Sequence, residues 1–190
     1  MLAKPALRRR LLGARQEAAR TQPRAGAALA LHFPLHLMPH RAVVAGYRPM
    51  RSEIDPLPLM AALVKHGAEL ALPTMQGEGM PLLFRRWQEG ERLTLGAFGV
   101  EEPAPEAAAV VPDLVLVPLV GVDRDGVRLG MGKGFYDHTL AGLRERGRVL
   151  AVGLAFEAQR VGQLPAEPHD QNLDALVTEA GFHAFTDKAR

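Results

Sequence analysis

The sequence predicts an α/β protein in which helices cover a mostly parallel sheet. Short apolar runs of strand character alternate with segments of helical period, the rhythm of β-loop-α units. Residues 113–122, DLVLVPLVGV, are apolar almost without alternation, as a central strand covered on both faces must be. A chain of 190 residues, 47% hydrophobic and 23% charged, also has enough material for a core without covalent staples. Residues 1–190 are therefore read as one domain.

The elements follow in order. In residues 4–20, KPALRRRLLGARQEAAR, Leu7, Leu11, Ala14 and Ala18 form one stripe at helical period, with the arginines largely off it. Pro5 suits the first turn, and Lys4 and Arg8, four apart, project from one face. Residues 25–38 read as a second, imperfect helix, broken by Pro34. Residues 42–47, AVVAGY, read as a buried strand delivering a loop at its carboxyl end. A helix over 55–66 has Asp55 as N-cap, Pro56 and Pro58 in its first turn, and Gly67 as its stop. Strands are expected at 69–72, ending at Pro73, and at 81–87, before a loop-rich stretch at 89–112. After the central run, Asp125-Gly126 marks a tight turn. A helix over 135–146, a strand over 150–156, a loop over 164–171 and a last strand over 173–178 before a polar tail complete the reading.

Composition narrows the chemistry. With no cysteine there is no thiolate nucleophile, Cys-ligated zinc or iron–sulfur cluster, so Lys, Arg, His, Asp, Glu, backbone amides or a bound metal must act. No apolar run approaches the length of a membrane span, so no membrane partner is expected. The net charge of +2 is uneven. Seven basic side chains (Lys4, Arg8, Arg9, Arg10, Arg15, Arg20 and Arg24) accompany one acid, Glu17, in the first 24 residues, and the remainder is mildly acidic. A targeting peptide, a nucleic-acid or membrane-surface patch, and a helix whose cations meet an anionic small molecule all fit that segment.

The glycine loop carries the most specific signal. Gly130, Gly132 and Gly134 alternate around Lys133, between a predicted strand and a predicted helix. Such a loop leaves backbone N–H groups free to converge on an anion, and the following helix adds the positive end of its dipole. It has neither the Walker spacing nor the GxGxxG spacing, and a flexible turn without a ligand is the competing reading. Asp137, in the first turn of that helix, suits Mg²⁺ beside phosphate or merely complements the dipole; Asp170 is the candidate second acid. His169 beside it is read as exposed, Tyr47 and Trp87 as packing residues, and Arg144, Arg146 and Arg148 as a solvated helix end.

Five segments, in order, resemble the 5-formyltetrahydrofolate cyclo-ligases, also called 5,10-methenyltetrahydrofolate synthetases. They are Lys4…Arg8; residues 47–55, YRPMRSEID; residues 98–103, FGVEEP; Pro118 through Asp123 and Gly126 to residues 128–137, RLGMGKGFYD; and Leu164-Pro165…His169-Asp170…Leu173-Asp174…Val177-Thr178. The resemblance implies a three-layer α/β/α sandwich shared with sugar-phosphate isomerases and CoA transferases. It also implies an ATP- and Mg²⁺-dependent reaction. The formyl oxygen of 5-formyltetrahydrofolate takes the γ-phosphoryl group, giving an imidate phosphate, and N10 closes on the activated carbon as phosphate leaves.

By the same resemblance, Lys4 and Arg8 together with Arg128, Leu129, Gly130, Met131, Gly132, Lys133, Gly134, Phe135 and Tyr136 hold the nucleotide. Phe98 stands where an aromatic meets adenine, and Arg128 and Lys133 are the cations expected to act in phosphoryl transfer. Glu53 grips the pterin by accepting its N–H donors, and Arg48 and residues 131–135 line the folate pocket. Asp137 and Asp170 hold magnesium. The expectation is a cytoplasmic monomer acting on 5-formyltetrahydrofolate, polyglutamylated forms included, without nucleic acid. Two other readings are weighed: an enzyme of the same fold with another phosphorylated substrate, which has no need of Glu53, and an RNA-binding arm at residues 4–24, which lacks interleaved aromatics to stack bases.

Overall fold

A computed structural model describes residues 3–96 and 99–185. Helix α1 (Lys4–Thr21) and helix α2 (Ala25–His32) precede β1 (Val43–Ala45), α3 (Leu57–Lys65), β2 (Glu69–Thr74) and β3 (Leu83–Arg86). Three two-residue strands follow, β4 (Thr94–Leu95), β5 (Glu101–Glu102) and β6 (Ala109–Val110), before β7 (Leu114–Pro118). Then come β8 (Gly121–Val122), β9 (Arg128–Leu129), α4 (Phe135–Arg146), β10 (Leu150–Leu154), β11 (Ala175–Thr178) and β12 (Gly181–Ala184).

Eight strands form the main sheet in the order β12-β11-β10-β7-β1-β2-β3-β6. The five strands from β11 to β2 are mutually parallel, and β12 and β3 pair antiparallel at either side of them. Register aligns apolar residues across the centre: Val44 is opposite Leu70 on one side and Leu114 on the other. Successive residues of these strands alternate between faces. Val44, Leu70, Leu114, Leu116 and Val152 pack with Leu29 of α2 and with Leu59, Met60 and Leu63 of α3. Ala45, Ala71, Val115, Val117 and Ala151 pack with Leu140 of α4 on the opposite face. The α/β expectation therefore holds as three layers. A third cluster, Leu7 and Leu11 of α1 with Val120, Val127 and Leu129, seats the first helix on the β8–β9 hairpin.

The structure corrects the sequence reading at several points. Residues 113–122 are not one strand: β7 ends at Pro118, and the chain turns out of the sheet to pair β8 with β9. Proline has no N–H to extend a ladder, and the buried Gln159 amide donates to the Leu119 and Val120 carbonyls that leave it. Strand β2 runs through Pro73 to Thr74, where an antiparallel neighbour defines it. The tail after residue 178 contributes β12, in a tight hairpin with β11. Arg144 is not free in solvent: it donates to the Gln171 side chain, the Asn172 carbonyl and the Asp174 carboxylate, tying α4 to the loop before β11. Tyr47 and Trp87 are buried core residues, as expected.

Asp123 organises the hairpin beneath α1. One carboxylate oxygen accepts from the backbone N–H groups of Asp125 (2.9 Å) and Val127 (3.0 Å), and the other accepts from Leu164 (3.0 Å). Its side chain is 4% exposed, so no solvent can replace these bonds. Asp123→Ala is expected to cost about 2–4 kcal/mol in urea denaturation, from donors left unpaired. A loss below about 1 kcal/mol would mean that the backbone turn holds itself together.

Candidate functional site

The topology determines where a site can open. From the adjacent strands β1 and β7, one connection runs through α3 to β2 and the other through α4 to β10, on opposite sides. The loops leaving their carboxyl ends diverge, which makes this the switch point at which open α/β sheets bind ligands. A cavity of about 880 Å³ lies there. Its walls are the loop after β1, the glycine loop, the first turns of α1, and residues 167–170.

The structure brings almost every residue singled out from the sequence to this cavity. Lys4, Arg8, Arg48, Glu53, Arg128, Leu129, Gly130, Met131, Gly132, Lys133, Gly134, Phe135, Tyr136, Asp137 and Asp170 all line it. Phe98 lies outside the described residues. Arg15 departs from the expectation for the arginines of α1: it lies on the apolar stripe and is 3% exposed. Leu7, Leu11, Arg15 and Ala18 form the buried face of α1, while Ala14 is only half-buried.

At one end of the cavity the surfaces suit an anion. Gly132 and Gly134 have φ of 92° and 70°, and Gly134 occupies the N-cap of α4 in the left-handed conformation. These angles turn the loop so that the N-terminus of α4 faces the cavity. Arg8 donates through Nε to the Gly130 carbonyl at 2.9 Å, fixing a guanidinium against the loop. Arg128 donates through Nη2 to Asp137 Oδ1 at 2.7 Å, and the same oxygen accepts from the Gln171 N–H at 3.0 Å. Among the described residues, Arg128 Nε is the one buried side-chain polar atom without a hydrogen-bond partner. A buried guanidinium N–H without an acceptor is costly unless a ligand oxygen meets it. Lys133, at the mouth, pairs with exposed Glu78.

The acids at this end are engaged by cations. Lys4 Nζ lies 3.0 Å from Glu167 and 3.2 Å from Asp170. Desolvation lowers the pKa of Lys4, but hydrogen bonds to these two acids outweigh it and hold the ammonium above its ordinary value. Glu167, His169 and Asp170 place one ligand atom each within 4.8 Å of one another, and His169 is exposed as expected. Asp137 and Asp170 both line the cavity beside the anion cradle, Asp137 held by Arg128 and Asp170 by Lys4.

The other end sets a carboxylate among apolar side chains. Glu53 Oε2 accepts the Met50 N–H at 2.9 Å, and Oε1 lies 3.7 Å from Arg15 Nη1. Burial raises the Glu53 carboxyl above its usual value, while the Met50 N–H and the Arg15 charge pull it down. Tyr47, buried, and Tyr136, half-buried, are both pushed up by desolvation and by the Glu53 charge, so both remain phenols. Met50, Met75, Leu82 and Leu119 supply apolar wall. Met50 and Leu119 lie in segments the resemblance covers, whereas the sequence pattern gave no sign of Met75 and Leu82, which flank the turn between β2 and β3. Arg48 is held at the rim by Glu101, at 3.1 Å.

Known proteins resemble this chain in sequence and in fold. The 5-formyltetrahydrofolate cyclo-ligase family matches residues 1–179. The chain is 34% identical to the 5-formyltetrahydrofolate cyclo-ligase of Mycolicibacterium smegmatis over 143 residues, 71% of this chain and 72% of that protein. It is 34% identical to the Escherichia coli protein of the same name over 151 residues, 77% of this chain and 81% of that one. The NMR structure of Aquifex aeolicus 5,10-methenyltetrahydrofolate synthetase superposes with a TM-score of 0.76 at 30% identity, covering 100% of this chain and 96% of that one.

The glycines of the loop divide by role. A Cβ on Gly130 meets nothing within 4 Å, whereas one on Gly134 sits on a left-handed residue. Gly134→Ala is expected to cost about 1–2 kcal/mol of stability in thermal or urea denaturation. Gly130→Ala is expected to stay within about 0.5 kcal/mol of the parent. Equal losses for the two would show that the loop conformation is not what Gly134 supplies.

Proposed function

The chain belongs to the 5-formyltetrahydrofolate cyclo-ligase family, and on that premise we propose that it converts 5-formyltetrahydrofolate to 5,10-methenyltetrahydrofolate using ATP and Mg²⁺. The observation that carries this reading is that one cavity joins two unlike ends. One is a glycine loop flanked by Arg8, Arg128 and Lys133; the other is a partly apolar wall around a carboxylate held by the Met50 N–H, Glu53. A nucleotide's phosphates suit the first, and a flat heterocycle with neighbouring N–H donors suits the second.

In the proposed reaction the formyl oxygen takes the γ-phosphoryl group of ATP and ADP departs. N10 then attacks the activated carbon, inorganic phosphate leaves with the former formyl oxygen, and N10 gives up its proton. The protein's task is positioning and charge neutralisation rather than covalent catalysis. Glu53 accepts the pterin N–H donors, and Met50, Met131 and Phe135 border the ring. Backbone N–H groups at the start of α4, with Arg8 and Arg128, meet phosphate oxygens and stabilise charge as it moves. Lys133 exchanges its exposed Glu78 partner for phosphate. Asp137 and Asp170 would hold Mg²⁺, which supplies neutralisation of the phosphate oxygens.

The basic segment fits the same reading. Lys4, Arg8 and Arg15 line the cavity while Arg9 and Arg10 stay exposed, so the functional cations of α1 point inward rather than forming a nucleic-acid arm. No helix among the described residues is long and apolar enough to cross a membrane.

Purified protein mixed with 5-formyltetrahydrofolate, ATP and Mg²⁺ is expected to develop the near-ultraviolet absorbance of methenyltetrahydrofolate. No product at saturating ATP would overturn the reading. Glu53→Gln is expected to raise the folate KM about tenfold or more, the worth of a charged hydrogen bond, while the ATP KM stays within about twofold. Equal rises in both would remove Glu53 from the pterin site.

A further inference from the structure

Arg15 is a buried cation in a helix otherwise seated through leucine and alanine, and the reaction proposed above gives it no chemical step. Its guanidinium donates from Nε to Ser52 Oγ at 3.1 Å and from Nη1 to the Leu119 carbonyl at 3.3 Å, with Glu53 Oε1 3.7 Å away. These partners come from the loop after β1 and from the turn after β7, the two segments that diverge at the switch point. An apolar residue would continue the stripe of α1 at lower desolvation cost. An arginine on that stripe is therefore best accounted for by what it does to its neighbours.

We infer that Arg15 is a positioning residue that keeps Glu53 ionised and aimed into the cavity, and so sets the affinity of the site for a ligand presenting adjacent N–H donors. The inference rests on the folate reading for the identity of that ligand and on the geometry alone for the coupling to Glu53. Arg15 from α1 and the Met50 N–H contact the carboxyl group, and Tyr47, whose hydroxyl donates to the Ile54 carbonyl, and Tyr136 of α4 lie near enough to feel its charge. Of these Arg15 alone carries a positive charge. A carboxyl kept from water gives up its charge when such a partner is removed, and a neutral Glu53 offers the ligand an O–H in place of an acceptor.

The sign of the pH effect follows. Burial already holds Glu53 above its usual pKa, against the pull of Met50 N–H and Arg15. Without Arg15 it rises further, so ligand binding is lost as pH falls, and the loss begins at a higher pH than in the parent.

The test measures the folate KM, the ATP KM and kcat between about pH 6 and pH 9 for the parent, Arg15→Met and Arg15→Lys. Arg15→Met is expected to raise the folate KM about tenfold or more at the acid end, with recovery toward the parent value at the alkaline end. Its ATP KM stays within about twofold, and Arg15→Lys restores most of the parent pH profile. A rise in folate KM that is the same at every pH, or equal rises for ATP and folate, would overturn the inference. A second measurement does not depend on the reaction: the Glu53 carboxyl is titrated by carbon-13 NMR in the parent and in Arg15→Lys and Arg15→Met. An upward move of about one pH unit in Arg15→Met supports the coupling, and an unchanged titration refutes it even if the enzyme is active. If the parent makes no methenyltetrahydrofolate, the folate reading fails while this titration still decides the coupling. If Arg15→Met does not fold, Arg15→Gln, which keeps hydrogen-bond donors without the charge, carries the titration, and a Glu53 value unmoved in Arg15→Gln refutes the inference.

Discussion

Burying the Arg15 guanidinium commits three parts of the chain to one arrangement. A cation removed from water must find acceptors, and those available are Ser52 Oγ, the Leu119 carbonyl and the Glu53 carboxylate. They come from the loop after β1 and the turn after β7, so α1 cannot dock on the β8–β9 hairpin without drawing both toward it. Leu7 and Leu11 supply the apolar part of that contact, and Arg15 selects its register. Moving α1 by one turn would leave buried charges of both signs unpaired, an error of several kcal/mol.

The consequences extend to the site. Once α1 is placed, Arg8 reaches the Gly130 carbonyl and Lys4 reaches Glu167 and Asp170, so a single helix touches the glycine loop, the acidic loop and the carboxylate floor. Each cation is held in advance, which reduces the entropy to be lost when an anionic ligand arrives. Arg128 is held as well, by Asp137, but its buried Nε has no partner. The site is thus ordered where it must grip and under-satisfied where a phosphate would complete it.

Much of this was legible in the sequence, for definite reasons. The apolar runs at 43–45, 114–118 and 150–154 announce central strands because both of their faces are covered, and the alternating glycines announce a turn that at 132 and 134 other residues adopt only with strain. Arg15 was hidden because a charged residue in an amphipathic helix is ordinarily solvated. Its burial depends on Ser52 and Glu53, nearly forty residues away in the chain. The break at Pro118 and the added strand β12 were also out of reach, since pairing partners and not local pattern define them. Local pattern likewise assigned Arg144 to solvent, whereas the acceptors it uses lie on a loop that only folding brings alongside α4.

The central claim is that one switch-point cavity binds nucleotide at its glycine loop and folate at its Glu53 end. Amide hydrogen exchange read by mass spectrometry, with a non-hydrolysable ATP analogue and Mg²⁺ or with 5-formyltetrahydrofolate, tests it most directly. The nucleotide is expected to protect amides of residues 130–138, the folate those of residues 47–53, and both ligands together both segments. Protection by the nucleotide confined to any other part of the chain, or by the folate with no change at 47–53, would contradict it.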